Sequence, residues 1–435
     1  MATIVGTAGN DTLVAITAGD RVEGLAGNDS LSGSSVSSSD LQGGSDDDTL
    51  TGGSGDDTLD GGSERDAMFG GTGNDFYVVD NGLDYIADPD GGRVQVWTSW
   101  NATNQYASPV GIQMVVMGDN VTANGTNQND VIVVSGSNAV IYGEGGSDII
   151  KGINGSTIYG GAGDDILEIT NTGSGTLVGG SGNDRYNIFA GNSGIVINEV
   201  SDIGGGTDKV FTTTNFSLNN PGASGVTIIG DVENLELAVT GAGGATIGEG
   251  NSLNNQIIGN ELGNTLNGLA GNDSIYGAQG DDNISGGLGD DSLEGNEGSD
   301  TLNGGEKYDV LIGGAGNDVF TFGGVGLSAE AFASNSIDKD FIFDYTVGQD
   351  RIVLSNSSFT SLAVGALNAS DFRLVALAND TTLGEFSEKI IYNQTTGSIA
   401  YNENGIGGGF GTGGVFAVLT TLPAGLTAGD FQIIA

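Results

Sequence analysis

A nine-residue period constrains this chain more than any other feature. Read in nines, residues 259–321 divide into consecutive units without an insertion or deletion. Gly opens every unit, Asp or Asn holds position six, and a large apolar residue holds position eight. Gly reaches backbone angles that allow tight turns, whereas alternation along a short strand points one side chain inward. The period therefore predicts a repetitive solenoid rather than a set of globular domains.

The period also predicts columns of carboxylates. Two units complete one coil, so alternate units lie on the same side of the solenoid with their strands about 4.8 Å apart. Two unit charges at ~4 Å repel by roughly 1 kcal/mol in water and by roughly 4 kcal/mol at an effective dielectric of 20. The expected columns are Asp273, Asp291 and Asp309 on one side, and Asp282, Asp300 and Asp318 on the other.

A bound cation is the expected solution to this repulsion. The chain has only 11 Lys and Arg against 56 Asp and Glu, so its own side chains cannot neutralise the columns. Carboxylate and backbone carbonyl oxygens suit calcium, and the soft or imidazole ligands that other metals prefer are missing, since Cys and His are absent. For one isolated unit, an Asp on a solvated turn would be the simpler interpretation; the phased array favours calcium.

The pattern G-G-x-G-x-D-x-U-x resembles the calcium-binding nonapeptide repeat of the RTX family. The resemblance covers nearly the whole chain and implies an all-β fold, a right-handed parallel β-roll or β-helix solenoid with a C-terminal β-rich cap. It implies Ca2+ ions held by position-six carboxylates and by glycines of the third block. The carboxylates are those of Asp11, Asp20, Asp29, Asp48, Asp57, Asp66, Asp75, Asp130, Asp148, Asp165, Asp184, Asp273, Asp282, Asp291, Asp300, Asp309 and Asp318. The glycines are Gly268, Gly271, Gly277, Gly280, Gly286, Gly289, Gly295, Gly298, Gly304 and Gly313.

Shifts in the period divide the chain into six expected segments. They are a first β-roll block at 1–78, irregular β-helix coils at 79–124, a second block at 125–187, further irregular coils at 188–249, a third block at 250–321, and a C-terminal cap with a secretion-signal region at 322–435. The first block includes an unusual Ser-rich unit of ten at 33–42.

The segments differ in what they predict about metal. In 125–187 only alternate units carry Asp at position six, so calcium is expected on one side of that block. Asn255 and Asn264 replace Asp at the start of the third block, and a neutral amide binds calcium less strongly. Metal occupancy should therefore fall at that edge.

The irregular coils at 79–124 predict longer strands, because β-branched and aromatic residues are frequent there. Trp97 and Trp100 fit either a lateral core or, together with Tyr106, a platform on which sugars stack.

The C-terminal region resembles that of type I-secreted RTX proteins in residues 338–355 and 389–409. This resemblance implies an uncleaved export signal, passage through the type I secretion machinery and an extracellular or cell-surface location. The relatives often read Y-D-x-D-G where this chain has Tyr401-Asn402-Glu403-Asn404-Gly405, so an additional metal site there is not implied.

Composition narrows the function. The absence of His excludes Ser-His-Asp and Cys-His catalysis and HExxH zinc proteases. The net charge of −45 disfavours nucleic acid as a partner, and the sequence has no apolar run that would insert into a membrane. The N-terminus lacks the features of a cleaved signal peptide, and the repeats begin near Gly6 without the catalytic domain that precedes the repeats of many RTX enzymes.

The expected function is therefore a secreted, calcium-dependent structural protein of a surface layer, sheath, matrix or filament, not an enzyme. An uncapped coil end near Gly6 would expose strand edges and favour self-association. Two alternatives stay open. One is an extracellular enzyme that acts on polysaccharide through carboxylates such as Asp84, Asp88, Asp202 or Glu233; the other is an adhesin that binds cell-surface polysaccharide.

Calcium should couple to folding, because ions that bind only the folded chain stabilise it. We expect a largely disordered chain in chelator that gains β-structure when calcium is added. Far-UV circular dichroism during a calcium titration measures this gain, with magnesium as the control ion. Identical spectra with chelator and with calcium would contradict the coupling.

Overall fold

The computed structural model describes residues 2–107, 110–170, 173–199, 206–219, 225–240, 243–323, 339–404 and 413–435. Helical structure in these residues is limited to one turn of α-helix and three 3₁₀ turns, which are Ala102–Gln105, Ala369–Asp371, Leu383–Glu385 and Ala428–Asp430. The chain forms two compact units, the first from residues 1–210 and 225–232, and the second from residues 211–224 and 233–435. Each unit is a β-solenoid of stacked parallel strands, as the period predicted.

The first unit contains three columns of parallel strands. One column consists of Thr3–Val5, Arg21–Ala26, Asp40–Ser45, Thr58–Ser63, Phe76–Val79, Arg93–Val96, Gln113–Val116, Val131–Val134, Ile149–Gly152, Ile166–Ile169 and Arg185–Ile188. A second consists of Thr12–Val14, Ser30–Ser32, Thr49–Ser54, Ala67–Thr72, Tyr85–Ala87 and Tyr106–Ala107. The third consists of Trp100–Asn101, Thr122–Asn124, Val140–Gly145, Ser156–Ala162, Gly175–Ser181, Ile195–Asn198 and Val226–Ile229. The strand Lys209–Thr212 begins in the first unit and ends in the second.

The second unit has two such columns. One consists of Asn234–Leu237, Gln256–Ile258, Ser274–Gln279, Ser292–Glu297, Val310–Ala315, Asp340–Ile342 and Gly414–Leu419. The other consists of Phe216–Ser217, Ile247–Glu249, Thr265–Ala270, Asn283–Leu288, Thr301–Glu306, Val319–Phe322, Arg351–Ser355 and Phe431–Ile434.

The C-terminal region is β-rich and includes antiparallel pairs. Ile390–Asn393, Ser398–Tyr401 and Gly414–Leu419 pair antiparallel in that order, and Phe372–Val375 pairs parallel with Ile390–Asn393. Two short antiparallel pairings complete the strand set, Gly365–Ala366 with Phe431–Ile434 and Val239–Thr240 with Gly243–Gly244.

The core of each solenoid is a ladder of apolar side chains. Position-eight residues of alternate units lie directly opposite one another, as Leu293 does with Leu311 and Leu302 does with Phe320. All four side chains are fully buried. The predicted stacking of units n and n+2 is thereby confirmed, and each inward side chain packs against equivalents one coil above and below.

The expectation of longer strands in 79–124 is wrong. Arg93–Val96 and Gln113–Val116 have four residues each, whereas a repeat strand such as Ser292–Glu297 has six. The β-branched and aromatic residues of this segment therefore do not lengthen its strands, since β-propensity is strongly context-dependent.

The aromatic residues of this segment do not form a three-ring platform. Trp100 and Tyr106 are buried, and Trp100 Nε1 donates a hydrogen bond to the carbonyl oxygen of Asp84 at 3.0 Å. Trp97 alone is half-exposed, at 50%. The lateral-core interpretation is therefore right for Trp100, and the sugar-stacking platform is wrong.

The ladder of buried apolar side chains predicts that Leu293→Ala destabilises the fold. Truncating a buried Leu removes packing and leaves a cavity, which costs ~2–5 kcal/mol. Native-state hydrogen exchange at saturating calcium should show that loss in the opening free energy of the strand amides of Ser292–Glu297. Ser292→Ala, at the exposed neighbouring position, is the matched control and should change it by less than about 0.5 kcal/mol. Equal effects of the two substitutions would contradict the packing argument.

Candidate metal centre

The position-six residues of successive coils are joined by hydrogen bonds. The backbone N–H of Asp273 donates to Asp291 Oδ1 at 2.8 Å, and that of Asp282 donates to Asp300 Oδ1 at 2.8 Å. We call each such series an aspartate ladder. The second unit has two ladders, Asn255–Asp273–Asp291–Asp309–Asp340 and Asn264–Asp282–Asp300–Asp318–Asp350. The first unit has three, Asp11–Asp29–Asp48–Asp66–Asp84, Ser39–Asp57–Asp75 and Asp130–Asp148–Asp165–Asp184–Asp208.

The ladders contain members that the nine-residue period does not reveal. Ser39 occupies the ladder position of the Ser-rich unit, where its N–H donates to Asp57 Oδ1 at 2.6 Å. Asp208, Asp340 and Asp350 also join ladders as acceptors. Asp309 and Asp340 are 31 residues apart, so no regular spacing could have identified the pair.

The second carboxylate oxygen of most ladder residues is buried without a hydrogen-bond partner. These atoms are Oδ2 of Asp29, Asp48, Asp57, Asp66, Asp75, Asp148, Asp165, Asp273, Asp282, Asp291, Asp300 and Asp309. A buried ionised carboxylate is unfavourable unless it is paired. These oxygens therefore fit the calcium that the sequence predicted, since a cation would supply the missing partner.

Backbone carbonyl oxygens converge on the same places. A Cβ added at Gly52 would lie 2.5 Å from Asp57 Oδ2 and 2.5 Å from the carbonyl oxygen of Gly70, one coil further on. A side chain at this first position would thus fill the space between two oxygen ligands. The predicted glycines Gly268, Gly277, Gly286 and Gly295 have the same two oxygen neighbours, and Gly304 and Gly313 lie against Oδ2 of Asp309 and Asp318.

The remaining predicted glycines serve the shape of the loop. Gly271, Gly280, Gly289 and Gly298 have φ values of 118°, 107°, 141° and 144°, which side chains rarely adopt. Among the described residues, no three acidic side chains converge on one point. A calcium ion here would be held by fewer than three acidic side chains together with carbonyl oxygens, which is a suitable oxygen set for this ion.

Burial makes the ladder carboxylates hard to ionise without a cation. Loss of solvation, helped by the charges of ladder neighbours, raises the pKa of Asp66 and of Asp148 to about 8. The same causes raise the pKa of Asp273 and of Asp282 to about 7. At neutral pH the calcium-free loops therefore carry an electrostatic penalty that a bound cation would relieve.

The chain was compared with protein-family models and with curated proteins. The family model described as the RTX calcium-binding nonapeptide repeat (4 copies) matches residues 15–35, 42–77, 124–156, 155–168, 258–293 and 294–324. The chain carries RTX calcium-binding nonapeptide repeats. RTX repeats bind calcium, which supports Ca2+ as the ion, and they typify proteins secreted by type I systems, which suggests an extracellular location. No curated protein matches the chain significantly.

Three predicted calcium ligands, Asp11, Asp20 and Asp130, differ from the other loop carboxylates in their hydrogen bonds. Both carboxylate oxygens of Asp20 and of Asp130 accept hydrogen bonds, and Asp11 Oδ2 accepts from the N–H and from Oγ1 of Thr7. Hydrogen bonds from Ala2 and Thr17 lower the pKa of Asp20 to about 2. These carboxylates are thus stabilised without a cation, and their role as calcium ligands stays a prediction.

The RTX loops of 125–187 lie on one flank. Asp130, Asp148 and Asp165 share a single ladder. On the opposite flank, side chains hold the turns directly: Asp119 Oδ1 accepts from the N–H of Ser137 at 2.6 Å, and Asn154 Oδ1 accepts from the N–H of Ser174 at 3.0 Å. The geometry of the described residues agrees with calcium on one side of this block, which stays a prediction.

Two of the carboxylates considered for catalysis are buried in the first unit. Asp84 is a buried ladder member, and Asp88 is buried and accepts hydrogen bonds from Tyr77 Oη at 2.8 Å and from the N–H of Asp90 at 2.9 Å. Glu233 lies in the second unit, and Asp202 lies outside the described residues.

The segment that replaces Y-D-x-D-G has structural hydrogen bonds. Asn402 is buried and its Nδ2 donates to the carbonyl oxygen of Phe386 at 2.6 Å, and Glu403 accepts from Thr360 Oγ1 at 3.1 Å. Gly405 lies outside the described residues. None of the described helices has the length and apolar character needed to span a membrane.

The raised pKa values predict that acid stabilises the calcium-free fold. A carboxyl group whose pKa is higher in the folded chain contributes stability at low pH, and this stability is lost as pH rises through the folded-state pKa. For Asp66, Asp148 and Asp273 that loss falls between about pH 4 and pH 8. In chelator, circular dichroism should show more β-structure at pH 5 than at pH 8. The calcium-saturated protein, as control, should change less; a calcium-free chain equally disordered at both pH values would contradict the effect.

Proposed function

We propose that this protein is a secreted, calcium-binding structural protein of the cell surface or extracellular matrix, which folds and assembles on calcium. The observation that carries the proposal is the extent of the aspartate ladders, which occur in both compact units. The calcium-binding machinery is thus the scaffold itself rather than an accessory to another site. The proposal includes a non-enzymatic role.

Export as an unfolded chain is consistent with this design. The loops hold buried carboxylates that need a cation, and extracellular calcium would supply it after secretion. The chain has no Cys, so disulfides do not contribute to its stability. Binding that occurs only in the folded state would then drive folding outside the cell.

Self-association is supported by exposed apolar residues beside strand edges that pair with no other described strand. In the described pairings, Thr3–Val5 pairs with Arg21–Ala26 and Thr12–Val14 pairs with Ser30–Ser32. Val5 is 52% exposed and Ile16 is 83% exposed. Such edges favour pairing with another molecule, and calcium would reduce the repulsion between chains that each carry a net charge of −45.

One cavity favours the carbohydrate-binding alternative. Gly92 takes the ladder position between Asp75 and Ile112, as the strand register shows. A cavity of about 280 Å³ lies beside it, and its polar lining includes Asn74, Asp75, Asp90, Arg93 and Gln113. Donors and acceptors together in one cavity suit sugar hydroxyl groups. Specific retention of the protein on immobilised polysaccharide, lost in Arg93→Ala, would support this alternative.

The test of the structural role is assembly. Light scattering and electron microscopy at millimolar calcium should show large ordered particles that dissociate in chelator. Val5→Lys should reduce assembly, because it places a charge on the exposed strand Thr3–Val5, without changing the circular dichroism spectrum. Val36→Lys is the control, since Val36 is also exposed, at 84%, but lies in a loop and not on a strand. A protein that stays monomeric at millimolar calcium would refute the assembly proposal.

A further inference from the structure

The ladder loops exist in two forms. In the form that we call open, the residue at position two has a positive φ, as Gly161 does at 118° and Leu269 does at 80°. The ladder carboxylates of these two loops, Asp165 and Asp273, have Oδ2 atoms that are buried without a partner. The backbone conformation that opens the loop thus coincides with a carboxylate oxygen that lacks a hydrogen bond.

In the form that we call locked, the position-two residue bonds to the ladder residue. The N–H of Thr126 donates to Asp130 Oδ2 at 2.6 Å, and Thr126 Oγ1 donates to Asp130 Oδ1 at 2.9 Å. The remaining locked loops with Asp or Asn at the ladder position pair Thr7 with Asp11 at 2.6 Å, Ile16 with Asp20 at 3.2 Å, Asn251 with Asn255 at 2.8 Å, Asn260 with Asn264 at 2.8 Å and Thr346 with Asp350 at 2.6 Å, measured from the backbone nitrogen. In all six loops the position-two residue lacks a positive φ.

The two forms exclude each other. An N–H can reach the ladder residue four positions on only when position two leaves the left-handed region. Thr, being β-branched, strongly avoids positive φ, and its hydroxyl adds a second bond to the carboxylate. Asn tolerates positive φ, and Asn296 is indeed left-handed at 76° in the open loop of Asp300. Asn locks a loop only where position six is also Asn, at 255 and 264.

Five of the six locked loops lie at the ends of ladders, and the sixth, that of Asp20, is not part of a ladder named above. Asp11, Asp130, Asn255 and Asn264 each begin a ladder, and each donates its own N–H to the Oδ1 of the first open loop. Asp350 ends a ladder and accepts from the N–H of Asp318 at 2.9 Å. A locked loop therefore holds its own polar groups without a cation and presents a hydrogen-bonding partner to the adjacent open loop.

We propose that the residue at position two decides whether a ladder loop takes calcium, and that locked loops are calcium-independent ends on which the open, calcium-binding loops stack. The inference rests on the proposed calcium-dependent folding and specifies which loops carry it. Apart from the hydrogen bonds of Thr126, the locked loop of Asp130 has the same oxygen atoms as an open loop. A Cβ at Gly125 would lie 2.7 Å from the carbonyl oxygen of Gly143, as at the open loops. Asp130 Oδ1 accepts the N–H of Ile112 from the neighbouring coil at 2.7 Å, as the Oδ1 of an open loop does, and the bonds from Thr126 are what distinguish Asp130.

Conversion of a locked loop tests the proposal. In the full chain, Thr126→Gly should open the loop of Asp130 and add one bound calcium per chain at saturation, counted by native mass spectrometry. Thr126→Ser keeps the N–H and the hydroxyl, and should leave the ion count unchanged. An unchanged count in a folded Thr126→Gly protein, or the same gain in Thr126→Ser, would overturn the role of position two.

A measurement on the unmodified protein covers the case in which Thr126→Gly does not fold. Hydrogen exchange during a calcium titration should protect the amides of 125–130, 250–255 and 259–264 at lower calcium than those of the open loops at 143–148 and 268–273. Protection of open loops first would overturn the proposal. Neither readout depends on assembly, so a monomeric protein that shows both effects would refute the structural role while leaving this inference intact.

Discussion

The hydrogen bond from the N–H of one ladder residue to Oδ1 of the next is the interaction on which the rest of the structure depends. It links successive coils at their turns, where strand pairing has ended, and it holds each Asp in a fixed orientation. Its consequence is that the other oxygen points into the loop and is buried. A single constraint thus produces both the regular stacking and the need for a cation.

Glycine at the first position of a loop follows from the same constraint. The Oδ2 atom and a carbonyl oxygen from the next coil approach the place where a Cβ would be, as at Gly52. Any side chain there would occupy the space between two oxygen ligands. The glycines are therefore a requirement of close approach as much as of turn geometry, and this explains why a chain with 81 Gly is ordered rather than disordered.

The apolar ladder and the loops have separate tasks. Leu293 and Leu311 are fully buried in a block with open loops on both flanks, and Ile141 is equally buried in the block with one carboxylate flank. The fold can therefore continue through segments that have no calcium loops. The loops, rather than the apolar ladder, differ along the chain. In some loops the ladder carboxylate needs a cation, and in others a hydrogen bond from the position-two residue already satisfies it.

The sequence by itself determined the solenoid, the inward ladder and most ladder carboxylates, because a strict period places equivalent residues one coil apart. It did not identify Asp340 or Asp350, because coils of unequal length bring them into register only after folding. It also misjudged the strands of 79–124, because β-propensity alone does not set strand length. The distinction between Asp130 and Asp148 was likewise decided by tertiary structure: both hold position six after Gly at position one, yet a backbone angle at position two leaves one carboxylate satisfied and the other without a partner.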